Sequence, residues 1–169
     1  MPRVPQRHGY FLGPAGNYSP READTAKIAI ASDHAGYRLK EVVKTHLTGK
    51  GHQVEDFGTH SEEPVDYPDF VRPAALSVAE GGNELGIVLG GSGNGEAMVA
   101  NKVPGIRCAV CWNRASALLA KEHNNANMIS LGARLLSEHE ALSIVDAWLG
   151  AQFEGGRHAR RLEKLESGC

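Results

Sequence analysis

The sequence predicts one α/β domain built on a five-stranded parallel sheet. Three observations lead there. From Lys27 onward, short apolar runs alternate with segments of helical periodicity. The 169 residues suit a single domain, able to bury ~70% of the surface of its unfolded chain. The 20 glycines fall mostly between the periodic segments, where tight turns or close ligand approach use them. No internal repeat or second domain interrupts the pattern.

The elements follow in order. KIAIASD (27–33) is an apolar run ending in polar residues and reads as a buried strand. In YRLKEVVKTHLTGK (37–50), Leu39, Val42, Val43 and Leu47 fall at helical spacing, and Gly51 stops the helix. HQVEDFG (52–58) is a weaker strand, followed by a polar loop over 59–68. A helix starts near Asp66–Asp69 and runs to about Glu80. LGIVLGG (85–91) is the most strand-like run, and SGNG then turns into a helix over 96–102. IRCAVCW (106–112) is the fourth strand, RASALLAKEHNN (114–125) a helix and NMISLGA (127–133) the fifth strand. Ser137 caps a helix over 137–150, with Glu140 completing a capping box. A basic helix, RHARRLEKLE (157–166), ends the regular part. Such alternation requires right-handed crossovers.

Composition excludes several classes of function. Hydrophobic residues at 41% and charged residues at 22% describe an ordinary globular chain. A net charge of −2 gives no global attraction to nucleic acid or an anionic membrane. Aromatics at 6% are too sparse for a base-stacking platform. No apolar run approaches the ~18 residues of a membrane span. Residues 1–26 carry four prolines and no apolar stretch of the signal-peptide kind. They read as a loose extension of a cytoplasmic protein, ahead of a domain over 27–166.

Three cysteines do not make a disulfide framework. Cys108 and Cys111 form a C-x-x-C, but both fall in a predicted strand and on opposite faces. They are expected in the core, with no metal and no cofactor bound.

In open parallel sheets, ligands bind outside the carboxyl ends of the strands. The third strand ends in Gly90-Gly91-Ser92-Gly93-Asn94-Gly95-Glu96. Glycines between a strand and a helix let backbone N–H groups converge on an anion. The G-x-G-x-G spacing, after the third strand, does not fit a dinucleotide fingerprint. Glu96 can simply satisfy the helix dipole. Beside an anion nest it can also remove a proton from carbon while the N–H groups hold the enolate oxygen.

Asp33 and His34 end the first strand, where they cap the next helix or touch ligand hydroxyls or phosphate. His123, followed by Asn124, closes a helix, and a helix C-terminus favours the imidazolium form of a proton donor. Arg157 and Arg161 share one helix face, with His158 beside Arg157. They form a solvated basic face or, with Arg134 at the fifth strand's end, a phosphate clamp.

The ordered set SDHAG (32–36), DYPD (66–69), LGGSGNGE (89–96), ANKVPGIR (100–107), EHNNAN (122–127), LGAR (131–134) and RHARR (157–161) resembles the type B ribose-5-phosphate isomerase family, over Lys27 to Glu166. The resemblance implies a metal-independent aldose–ketose isomerase with a Rossmann-like αβα sandwich. It also implies a homodimer or tetramer whose sites are shared between subunits. Many members carry a catalytic Cys where this chain has Gly90, and a second subgroup has Gly there with a later Glu as base. GGSGNGE is similar to that second form and maps the base to Glu96. By the same resemblance, Asp33 and His34 contact substrate. Gly91, Ser92, Gly93, Asn94 and Gly95 face the enediolate, with donors from their N–H groups and the Ser92 hydroxyl. His123 opens the furanose ring beside Asn124, and Arg134, Arg157 and Arg161, helped by His158, hold the phosphate.

The expected reaction interconverts D-ribose 5-phosphate and D-ribulose 5-phosphate through a cis-enediolate. The alternative is the same chemistry on a tetrulose 4-phosphate or hexose 6-phosphate. Flavodoxin-like and receiver-like binding modules suit the same βα alternation. The first would need its phosphate loop where this chain has Asp33-His34, and the second an acceptor Asp where it has Gly90-Gly91-Ser92.

Overall fold

The computed structural model describes residues 25–167, so most of the 1–26 extension and Cys169 lie outside the described residues. Five strands form the sheet: β1 (Lys27–Ser32), β2 (Gln53–Asp56), β3 (Leu85–Gly90), β4 (Cys108–Val110) and β5 (Met128–Gly132). Helices α1 (Tyr37–Gly49), α2 (Pro68–Ala79), α3 (Asn94–Ala100), α4 (Arg114–Asn124) and α5 (Glu138–Gly150) alternate with or follow them, and α6 (Arg157–Glu166) closes the chain. All four strand pairings are parallel, in the order β2-β1-β3-β5-β4. Flavodoxins and receivers use the order 2-1-3-4-5, so the last two positions are exchanged here.

Both faces of the sheet are covered, which explains the unbroken apolar runs. Ile28, Ile30, Ile87, Leu89, Ile129 and Leu131 pack against α1, α4 and α5 on one face. Ala29, Ala31, Val88 and Met128 pack against α2 and α3 on the other. Trp148, fully buried on α5, satisfies its indole N–H on the Ala126 carbonyl at 3.1 Å. Ser137 and Glu140 form the expected reciprocal cap at the start of α5. Lys40 of α1 is also fully buried, and its ammonium donates to both carboxylate oxygens of Asp56 at 2.6 and 2.7 Å.

Strand β4 is shorter than the 106–112 run suggests. The Ile106 N–H closes a turn on the Val103 carbonyl, and the Trp112 N–H turns away to Ser116 Oγ. Cys111 therefore lies just past β4, although its N–H still reaches the Ser130 carbonyl at 3.0 Å. The two cysteines sit in different halves of the core, Cys108 on the α3 side and Cys111 on the α4 side.

The strand order reverses direction between β1 and β3, whose carboxyl ends lie side by side with Ser32 opposite Leu89. A cleft belongs at such a switch point.

Candidate active site

The cleft is there. It measures about 450 Å³ and is lined by Asp33, His34, Tyr67, Ser92, Glu96 and Arg134 among others. Its floor is set by the loop from Gly90 to Gly95. Gly93 adopts φ 80°, a left-handed conformation suited to glycine, and its carbonyl accepts a 2.6 Å bond from the buried Ser130 hydroxyl. The Asn94 N–H donates to Ser92 Oγ at 3.3 Å, and α3 begins there rather than at Glu96. Glu96 thereby falls in the first helical turn, 4% exposed. Gly95 has Tyr67 lying against it, so that a Cβ there would come within 2.7 Å of the phenol ring.

Burial raises the Glu96 pKa above the ordinary carboxylate range, and the nearby Asp33 charge pushes the same way. Its own backbone N–H opposes the shift without cancelling it. Asp33 uses Oδ1 to accept the Gly36 N–H at 2.9 Å. His34 Nδ1 accepts the Val65 N–H at 3.2 Å, which leaves Nε2 as the protonated, donating nitrogen. A buried carboxylate able to take a proton thus sits beside a donor histidine and a glycine loop at a helix start. That combination suits abstraction of a proton next to a carbonyl.

The other predicted residues gather elsewhere. His123, on the last turn of α4, stacks on His158 of α6, with ring centroids 4.2 Å apart and planes 9° off parallel. Glu154 Oε2 lies 3.8 Å from His123 Nε2 and 3.6 Å from His158 Nε2. Arg157 Nε donates to His158 Nε2 at 3.5 Å, and Asn124 and Arg161 lie exposed close by in the chain. Burial, then the charges of His123 and Arg157, hold the His158 pKa below the usual histidine value.

This second group stands at the opposite end of the sheet. Asn124 leads into the start of β5 at Met128, whereas Arg134 follows its end at Gly132. The strand alone separates the ends by roughly 16 Å at ~3.3 Å per residue. In one chain, therefore, Arg134 belongs with Glu96, Asp33 and His34, and not with Arg157 and Arg161.

Two groups were missed in the sequence. Tyr67 stands in the quoted DYPD run but gave no chemical signal of its own, and Glu154 shows only as a residue four positions before His158. His123, Glu154 and His158 offer three ligand atoms within 4.8 Å of one another. The parallel rings direct their lone pairs side by side rather than at a common point, and the Arg157 guanidinium already occupies His158 Nε2. A carboxylate beside two stacked imidazoles suits the sharing of a proton better than a metal ion.

Residues 28–165 match the ribose/galactose isomerase family. The chain belongs to this family. Within the ribose/galactose isomerases it is 45% identical to ribose-5-phosphate isomerase B of Escherichia coli, over 82% of this chain and 93% of that one. The structure of Clostridium thermocellum ribose-5-phosphate isomerase B superposes with a TM-score of 0.83 at 50% identity, covering 83% of this chain and 95% of that one. Ribose-5-phosphate isomerase B from Mycoplasma genitalium, solved with bound ribulose-5-phosphate, gives a TM-score of 0.81 at 41% identity, over 84% of this chain and 95% of that one. Among the described residues, no helix is long and apolar enough to cross a membrane.

Proposed function

We propose that this chain interconverts D-ribose 5-phosphate and D-ribulose 5-phosphate, with Glu96 moving the proton between C2 and C1. The observation that carries this reading is the buried Glu96 carboxyl on the floor of the Asp33–His34 cleft. Its raised pKa brings the base closer to the operating pH, which strengthens proton transfer. The N–H groups of the Gly91–Gly95 loop and the Ser92 hydroxyl hold the oxygen that becomes negative in the cis-enediolate. Asp33 and the His34 Nε2–H take the sugar hydroxyls, and Arg134 approaches the same substrate from the same chain.

His123 donates the proton that opens the furanose ring, with Asn124 beside it, and Arg157, Arg161 and His158 bind the phosphate. Because these residues lie at the far end of the sheet from Glu96, we assign them to a second copy of the chain. The enzyme is then a homodimer or a tetramer with sites shared between subunits. No metal or cofactor enters the reaction, and the cytoplasmic setting expected from the sequence is retained. The names of the relatives favour the pentose phosphate over a tetrulose 4-phosphate or a hexose 6-phosphate.

An isomerisation assay over those three substrate classes, with and without chelator, tests the reading. The highest kcat/KM is expected for ribose 5-phosphate, unchanged by chelator. A tetrose or hexose phosphate that wins clearly overturns the substrate, and Glu96→Gln with near-normal kcat overturns the base.

A further inference from the structure

Arg107 lies outside both groups of candidate site residues, yet its side chain ties three segments together. Its Nε donates to the Asn124 carbonyl at 3.0 Å and to the Asn125 carbonyl at 3.3 Å. Its Nη2 donates to the Asn125 carbonyl again at 3.0 Å. Its Nη1 forms a 2.6 Å ion pair with Glu166, in the last turn of α6. The backbone is pinned as well, since the Arg107 N–H donates to Asn127 Oδ1 at 2.8 Å.

These are the places where the chain most needs support. The last carbonyls of α4 have no partner within the helix. Asn125, which ends α4, adopts φ 43° and ψ 44°, the left-handed conformation with which an asparagine commonly closes a helix. A guanidinium supplies a rigid fork of donors and a positive charge for that helix terminus. The residues so fixed are the immediate neighbours of His123, and the helix held by Glu166 carries Arg157, His158 and Arg161.

We propose that Arg107 is a positioning residue, which holds the His123–Asn125 turn and the arginine-bearing helix α6 in one fixed relation. Arg107 touches no reacting atom; it sets the distance between the proton donor for the ring oxygen and the phosphate-binding arginines. The inference rests on the role given to His123. It also separates two steps of the reaction. Proton exchange at C1 of ribulose 5-phosphate, an open-chain sugar, needs Glu96 but not ring chemistry. Conversion of cyclic ribose 5-phosphate needs His123 as well, because the ring must open before Glu96 can reach the proton at C2.

The experiment compares solvent deuterium entering C1 of ribulose 5-phosphate with conversion of ribose 5-phosphate to ribulose 5-phosphate, in the full chain. His123→Asn should raise the ratio of exchange to conversion, and Arg107→Ala should raise it in the same direction. A misplacement of about 1 Å costs ~10²-fold in rate, so net conversion by Arg107→Ala should fall on that order while exchange falls less. Arg107→Lys, which keeps the charge but loses the fork, should behave like Arg107→Ala rather than wild type. Glu166→Gln, at a half-exposed position that the fold tolerates, should raise KM for ribose 5-phosphate and leave the ratio unchanged.

A ratio unmoved in Arg107→Ala but raised in His123→Asn overturns the positioning role alone. A ratio unmoved in both overturns the role of His123 on which it rests. Equal losses of exchange and conversion in Arg107→Ala would mark a general structural defect and also overturn the proposal.

Discussion

The Glu96 carboxyl fills the space that any side chain at position 90 would need. A Cβ built on Gly90 would lie 1.9 Å from Glu96 Oε1 and 2.1 Å from its Cδ. The glycine at the head of the loop and the acid six residues later are therefore one device. A cysteine at the head of the loop and a buried glutamate at position 96 exclude each other in this geometry.

Gly90→Ala is expected to push the Glu96 carboxyl aside and reduce kcat on the order of 10²-fold. The thermal midpoint should change far less, because the displaced group is the end of a side chain and not backbone. Steady-state kinetics beside a melting curve check this. Near-normal kcat in Gly90→Ala would show that the observed Glu96 position is not the working one.

The acid limb of the kcat/KM profile should lie above the ordinary carboxylate range. Burial and then Asp33 raise the Glu96 pKa, and the base must be ionised to act. Asp33→Asn removes one negative charge and should move that limb to lower pH, whatever it does to KM. Stability has the matching sign. A carboxyl whose pKa rises on folding adds stability below its unfolded pKa and loses it as pH climbs through the raised value. Glu96→Gln should thus raise the thermal midpoint more in neutral than in acidic buffer.

Cys108→Ser and Cys111→Ser should leave kcat intact, and alkylating the native protein should not inactivate it. Burial pushes both thiols up, Cys111 to about 12, so neither is a thiolate at working pH. Activity lost in a folded Cys variant would bring thiol chemistry back.

The elements and the position of the glycine loop were legible for local reasons. Periodicity marks β1, α1 and β3, and the Ser137–Glu140 pair marks the start of α5 within four residues of chain. The insertion of β5 between β3 and β4 left no such mark, because strand order depends on which helix crosses which neighbour. That order places Arg134 beside Glu96, whereas His123 lies at the far end because α4 runs back against the strands and ends where β5 begins. Tyr67 went unnoticed because its contact with Gly95 is formed only when α2 packs beside α3. Arg107 stands in the quoted ANKVPGIR run and in the predicted fourth strand, but its fork onto the α4 terminus exists only in three dimensions.

In the proposed enzyme, Glu96 of one copy works with His123 of another. Mixed-subunit complementation distinguishes this from a site within one chain: Glu96→Gln and His123→Asn chains, each unable alone to convert ribose 5-phosphate, are unfolded together and refolded as a mixture. In a twofold-symmetric dimer, random pairing restores one intact site in half of the molecules, so about a quarter of wild-type activity should return. No recovery in a mixture shown to contain hybrid dimers would contradict the shared site.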